Sequence, residues 1–335
     1  MSSQSQPSNQ NQTQEQNQEQ NQEQKLNQEQ NQQNDRYEVL EQELEQKNQQ
    51  KTFHIVQIGC GVVGHAYACA YLSAGNQVTC IEASRDLINK YKDSLTIYHI
   101  NDDLNPIRNV DFIMISVCTP ENKEIQTIDM KYLWSTLENV STMVKNSPNA
   151  LVIIRSTIIP TVTEQYKTRL EQLTGFPVDV LFQPEFLRAV SAVEDAIKPW
   201  AIVLGHRPDM NSEKLDRLKD MYSSFLRRDL IESMSIEEAE VHKIFHNCFN
   251  AMKISYFNQC GRLVNEINKK HGTSIDMNRI AHVLTKTCEG LKNPKYGTKV
   301  GHAYYGSCLP KDSACLVRVH HTLPTLLLRK SEFVF

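Results

Sequence analysis

No run of apolar residues in the 335-residue chain is long enough to cross a bilayer, and its start has no apolar signal region. The sequence therefore predicts no membrane span and no secretory leader. Excess charge of one sign is also missing: 36 Lys and Arg stand against 39 Asp and Glu, net −3, with no polybasic run. That balance argues against a nucleic-acid or membrane-surface partner. The nine cysteines are odd in number and include no Cys-x-x-Cys pair, so a reduced, cytoplasmic compartment is expected rather than a disulfide framework. His242 and His246 are four apart, yet no Glu follows the first of them as a zinc protease requires, and no metal site is expected. Residues 1 to about 34 are almost wholly Gln, Asn, Glu and Ser, with nothing to bury, and read as disordered. Tyr37, Leu40 and Leu44 permit a short amphipathic helix but no core, so residues 1–50 are read as a tail.

From Phe53 the texture changes. Phe53 to Ile58 reads as a buried strand, and Gly59-Cys60-Gly61-Val62-Val63-Gly64 opens a helix that runs to a stop at Gly75. A second strand, Val78 to Ile81, ends at Glu82. Gly-x-Gly-x-x-Gly alone is weak. Between a strand and a helix, with an acidic residue closing the next strand, it reads as a dinucleotide site. Its glycines permit the tight turn, the helix N-terminus receives the pyrophosphate, and Glu82 takes the ribose hydroxyls. An acid there repels a 2′-phosphate and favours NAD over NADP, although Arg85 lies close by. Strands at 110–117, 151–155, 178–182 and 200–204 alternate with helices at 129–145, 161–173 and 211–225. This alternation predicts an α/β fold: a doubly wound, Rossmann-like parallel sheet with function at the strand C-terminal ends. Thr119, Thr157 and Glu185 occupy such ends, where the threonines serve equally well as helix caps.

Ser235 begins a long helix with a capping box, Ser235 paired to Glu238, reaching about His271. At 1.5 Å per residue it is about 50 Å long, more than one small domain buries, and it is expected to bridge domains or to build a homodimer. Lys243 and Asn247 share one of its faces, as solvated side chains or as part of a site. A shorter helix, Asp276 to Lys286, precedes Gly306-Ser307-Cys308-Leu309-Pro310-Lys311-Asp312. Here a thiol, a cation and a carboxylate fall in one arc, the setting of a thiolate nucleophile. The plain alternative for any one cysteine is core filling. That reading is given to Cys69, Cys248 and Cys260, which lie in apolar helical patterns.

Six pieces in order resemble the UDP-glucose/GDP-mannose dehydrogenase family. They are Gly59 to Gly64; Val117-Cys118-Thr119-Pro120; Ser156-Thr157; Pro184-Glu185-Phe186-Leu187-Arg188 with Ala192-Val193-Glu194-Asp195; Glu240 to Asn258; and Gly306 to Asp312. The Pro-Glu-Phe-Leu form resembles the UDP-glucose 6-dehydrogenase branch more than relatives acting on N-acetylated sugars, with GDP-mannose as the alternative substrate.

After the tail at 1–50, the resemblance implies an NAD-binding domain at 51–230 and a central helical domain at 231–335. It also implies a four-electron oxidation at C6 of a UDP-sugar by two NAD, through a thiohemiacetal and a thioester on Cys308. Lys243 and Asn247 would stabilise oxyanions, Glu185 and Thr157 would hold or activate water, and Asp312 would assist proton transfer. The cofactor would lie on Gly59, Gly61, Val62, Val63, Gly64, Glu82, Thr119 and Thr157. The sugar nucleotide would meet Glu185, Phe186, Leu187, Arg188, Lys243, Asn247, Lys295 and Gly306.

The chain departs from the family pattern at Ala189, where a second Glu is usual, and at Tyr305, where Gly is usual. It is also shorter between Glu82 and Asp111, and it ends soon after Cys308, where the family continues into a further α/β domain. That ending motivates the competing expectation of a catalytically silent remnant that still binds NAD and dimerises.

Overall fold

The computed structural model describes residues 51–293, apart from 123, 125 and 126. These divide into two compact units, the first ending at Lys243 and the second starting at Ile244. In the first unit β1 (His54–Ile58), α1 (Val62–Ser73), β2 (Gln77–Glu82), α2 (Arg85–Tyr91), β3 (Thr96–His99) and β4 (Phe112–Ile115) follow in turn. A short hairpin of β5 (Glu121–Asn122) and β6 (Thr127–Ile128) leads to α3 (Lys131–Trp134), α4 (Leu137–Asn146), β7 (Leu151–Ile154), α5 (Val162–Thr174) and β8 (Val180–Phe182). Then come α6 (Ala192–Ile197), β9 (Ile202–Gly205), α7 (Ser212–Ser223), β10 (Ile231–Met234) and the start of α8 (Ile236–His271). The second unit holds the rest of α8, with α9 (Met277–Thr287) and α10 (Glu289–Lys292).

Eight strands form one sheet in the order β10-β9-β8-β7-β4-β1-β2-β3. The runs Phe-Ile-Met-Ile of β4 and Leu-Val-Ile-Ile of β7 are buried throughout, as central parallel strands covered on both faces must be. One face packs on α4 and α5 through Val140, Met143, Val144, Tyr166 and Leu170. The other packs on α1 and α7 through Ala66, Tyr67, Tyr71, Leu218 and Tyr222. Each Val, Leu or Met among them removed from water contributes roughly 1.5–3 kcal/mol, so the two clusters hold the helices on both faces.

The doubly wound α/β fold is present, with two corrections. The expected parallel sheet reverses at β9, which pairs antiparallel with β8 through Phe182 and Gly205, and β10 follows β9 in parallel. The helix expected over 129–145 is two helices, because Thr136 turns its hydroxyl back to the Leu133 carbonyl and to Tyr166 and interrupts the run.

The cap of α8 has the expected reciprocal form: the Glu238 N–H donates to Ser235 Oγ at 3.2 Å, and the Ser235 N–H donates to Glu238 Oε2 at 2.9 Å. Behind this cap α8 meets β9 closely, since a Cβ on Gly205 would stand 2.5 Å from Ala239 Cβ. Among the described residues no helix is long and apolar enough to cross a membrane. The tail at 1–50 lies outside the described residues.

Candidate functional site

The chain lays β1, β2 and β3 to one side and then crosses to β4 on the other side of β1. Strand order therefore reverses between β1 and β4, and a crevice opens there at the C-terminal strand ends. The glycine turn fills that place. Gly59 takes φ +83°, and a Cβ on it would stand 2.6 Å from the Ser116 carbonyl at the end of β4. On Gly64 a Cβ would fall 1.8 Å from the Gly59 carbonyl, while around Gly61 there is open space within 4 Å. The turn is thus tight on the protein side and open on the other, a cradle that fits a pyrophosphate on the N-terminus of α1. Val62 is exposed beside it and Val63 is partly buried. Gly64→Ala is expected to push the turn outward and weaken NADH binding at least tenfold, read by NADH fluorescence titration.

Glu82 closes the turn from the end of β2. Its Oε2 accepts the Cys60 N–H at 2.6 Å, and its Oε1 accepts the Ala83 and Ser84 N–H groups at 2.8 Å each. A carboxylate has about four acceptor positions, so three backbone donors leave one for a ribose hydroxyl. Thr119 and Thr157 lie half-buried after β4 and β7, and Ser156 between them donates its hydroxyl to the Val117 carbonyl at 2.8 Å.

The second group of residues forms after β8. Glu185 Oε1 accepts a hydrogen bond from Lys243 Nζ at 3.0 Å, and the Glu185 carbonyl accepts another from the same ammonium. Its other oxygen holds the Leu187 N–H at 2.8 Å. Lys243 is 3% exposed, which rules out the solvated reading of that side chain. Phe186 offers its ring face to Lys243 Nζ at 5.4 Å and stands edge-on to His242. Leu187 packs into the core on the α1 side. Arg188 is clamped by Asp195 through both carboxylate oxygens, at 2.6 and 3.0 Å. Its guanidinium holds the Asp195 carboxyl far below the usual carboxylate range. Ala189, in the place of a second Glu, opens an exposed 3-10 turn.

Sequence reasoning missed one anchor of this region. Glu240, fully buried on α8, accepts the Thr161 N–H at 2.6 Å and the Thr163 N–H at 3.0 Å. It satisfies the first turn of α5 and holds Thr161 at φ +79°. A Glu three residues before Lys243 on one helix face was the available signal.

Asn247 lies on α8 in the second unit. Lys295, Gly306, Cys308 and Asp312 lie outside the described residues, as does Tyr305. The cysteines read as core filling are not so placed, since Cys248 is exposed and Cys69 and Cys260 are partly so. Among the described residues, Cys60 and Cys80, in the turn and in β2, are the buried cysteines. Among the described residues no cluster of three metal-ligating side chains occurs.

Residues 93–226 match the NAD binding domain of the UDP-glucose/GDP-mannose dehydrogenase family, and residues 237–332 match its central domain. A UDP-glucose 6-dehydrogenase of Rickettsia felis is 29% identical over 297 residues, covering 80% of this chain and 61% of the relative. The chain thus spans less than two thirds of that relative's length. A crystal structure of a ternary complex of GDP-mannose dehydrogenase from Pseudomonas aeruginosa superposes with a TM-score of 0.68 at 22% identity, over 82% of this chain and 66% of that one. A UDP-glucose dehydrogenase from Pyrobaculum islandicum gives 0.63 at 22% identity, over 82% and 65%. With an NAD cradle at the strand crossover and both family domains matched in order, this chain belongs to the UDP-glucose/GDP-mannose dehydrogenase family.

Proposed function

We propose that the protein oxidises C6 of a nucleotide sugar to the carboxylate, with UDP-glucose as substrate and UDP-glucuronate as product. The balance is one primary alcohol, one water and two NAD in, and one carboxylate, two NADH and three protons out. The observation that carries the reading is the pairing of buried Lys243 with the partly buried Glu185, set on the same sheet edge as the glycine turn. When bound, NAD accepts the hydride in each of the two oxidation steps. Gly59, Gly61, Gly64 and Glu82 hold it, with Val62, Val63, Thr119 and Thr157 lining the place.

Cys308 attacks the C6 aldehyde to give a thiohemiacetal, which after the second oxidation is a thioester that water opens. Lys243 and Asn247 donate to the oxygen on C6 as it gains negative charge, Glu185 and Thr157 orient the water, and Asp312 moves the proton. Phe186, Leu187, Arg188, Lys295 and Gly306 shape the place of the sugar. Purified protein with NAD and UDP-glucose should form two NADH per sugar consumed. One NADH per sugar, or faster turnover of GDP-mannose, would overturn the reaction or the substrate. NADH binding without turnover of either sugar would leave a binding protein.

The same reading includes a homodimer in a cytoplasmic setting. In the second unit Phe245, Phe249, Met252 and Tyr256 recur along α8 at helical spacing and are 69, 55, 47 and 39% exposed. A second copy packing on this stripe would cover it. Phe249→Glu is expected to halve the sedimenting mass of a dimeric wild type. A monomeric wild type at tens of micromolar would sink the assembly.

A further inference from the structure

Arg155 is fully buried, and no carboxylate is among its hydrogen-bond partners. A guanidinium taken out of water without a counter-ion costs several kcal/mol unless oxygens and π faces replace its hydration. Here they do. The two N–H groups of its NH2 nitrogen are shared among the hydroxyls of Tyr71 and Tyr222, Gln183 Oε1 at 3.2 Å and Met114 Sδ at 3.5 Å, and its Cζ lies 3.7 Å from the centre of the Tyr67 ring. Burial pushes the Tyr71 and Tyr67 hydroxyls well above their ordinary pKa, so neither supplies an anion. The remaining contact, long at 3.5 Å, runs from NH1 to Gln57 Oε1.

The placement of these groups on the sheet gives the cluster its reach. Gln57 lies on β1, Met114 on β4, Arg155 directly after β7 and Gln183 directly after β8, and these four strands are neighbours in the order β8-β7-β4-β1. Gln57 Nε2 donates at 3.1 Å to the carbonyls of both Ile58 and Gly59, the entry to the glycine turn. Gln183 is followed by Pro184 and Glu185, the partner of Lys243. One guanidinium thus joins the backbone of the turn, through Gln57, to the segment that carries the Glu185–Lys243 pair. Apolar side chains would fill this space at lower desolvation cost, but they offer no directional bond to either end.

We propose that Arg155 is a positioning residue, with Gln57 and Gln183 as its two arms, that holds the glycine turn and the Gln183–Arg188 segment in one fixed relation. The inference rests on the reading of these two segments as the cofactor and sugar sites. Its test uses the full chain with Gln57→Met, Arg155→Met and Tyr71→Phe. Tyr71→Phe also removes a hydrogen bond to Arg155, but it touches neither arm.

Each variant is measured for melting midpoint, NADH affinity by fluorescence, and amide hydrogen exchange over 59–64 and 183–188. Gln57→Met should weaken NADH binding about tenfold and speed exchange at 59–64 about tenfold. Arg155→Met, where it folds, should do so at both segments. Tyr71→Phe should lower the melting midpoint with affinity and local exchange within about twofold of wild type. Equal effects of Gln57→Met and Tyr71→Phe, or a folded Gln57→Met with wild-type exchange at 59–64, would overturn the brace and leave Arg155 a core residue. A wild type that fails to bind NADH would overturn the cofactor reading, and the exchange measurements still decide the brace.

Discussion

Cys308→Ser is expected to reduce conversion of UDP-glucose to the acid at least about 10³-fold while NADH affinity stays at the wild-type value. A free thiol ionises near pH 8.5, and a neighbouring cation such as Lys311 favours the thiolate further. A serine hydroxyl is far harder to ionise and cannot trap the aldehyde at a comparable rate. Any acyl-serine formed would be an oxygen ester, which water opens less readily than a thioester. The second half of the oxidation therefore fails, and NADH per UDP-glucose consumed falls from two toward one. Two NADH per sugar from the serine variant would remove Cys308 from the mechanism. Cys69→Ser, at a partly exposed helical position, serves as the control and should leave the ratio at two.

The second large effect is expected at Lys243. Replacing it with methionine leaves the Glu185 carboxylate facing a buried site without its cation. Removing one partner of such a pair costs about 3–5 kcal/mol, chiefly because the other charge stays behind. Glu185 retains some exposure and keeps the Leu187 N–H, so the lower figure, about 3 kcal/mol, is expected from denaturant unfolding. Adding Glu185→Gln to Lys243→Met neutralises the stranded charge and should recover most of that loss.

Turnover should behave differently. An ammonium that stabilises developing negative charge on the C6 oxygen contributes on the order of 10²–10³-fold, and the double variant should stay as slow as the single one. Recovery of stability together with turnover would make the pair a structural bridge alone. A single variant as stable as wild type would show that the carboxylate finds solvent without its lysine.

Several features were legible before any coordinates because they are written in neighbouring residues. A buried strand followed by three spaced glycines specifies a turn whose backbone must come close to itself, and Gly59 and Gly64 show that closeness at β1 and α1. Ser235 and Glu238, three apart, cap α8 because both partners lie within one helical turn. Apolar runs at 110–117 and 151–155 were legible as strands, and β4 and β7 lie within them, buried at every residue. The break between α3 and α4 was not legible, because it depends on Tyr166, thirty residues further along, donating its hydroxyl to Thr136 Oγ1.

Strand order and long-range pairing belong to the tertiary structure. The antiparallel entry of β9, the meeting of Lys243 with Glu185 across 58 residues, the Glu240 cap on α5 and the setting of Arg155 all join groups with no common local period. Pattern along a chain reports which face of a helix or strand is buried, but not which other face it is buried against. For a charged side chain the difference decides its chemistry. Lys243 reads in sequence as solvated or as part of a site and Arg155 only as the end of a strand, and only the packed sheet decides that one is held beside a carboxylate and the other among tyrosines and glutamines.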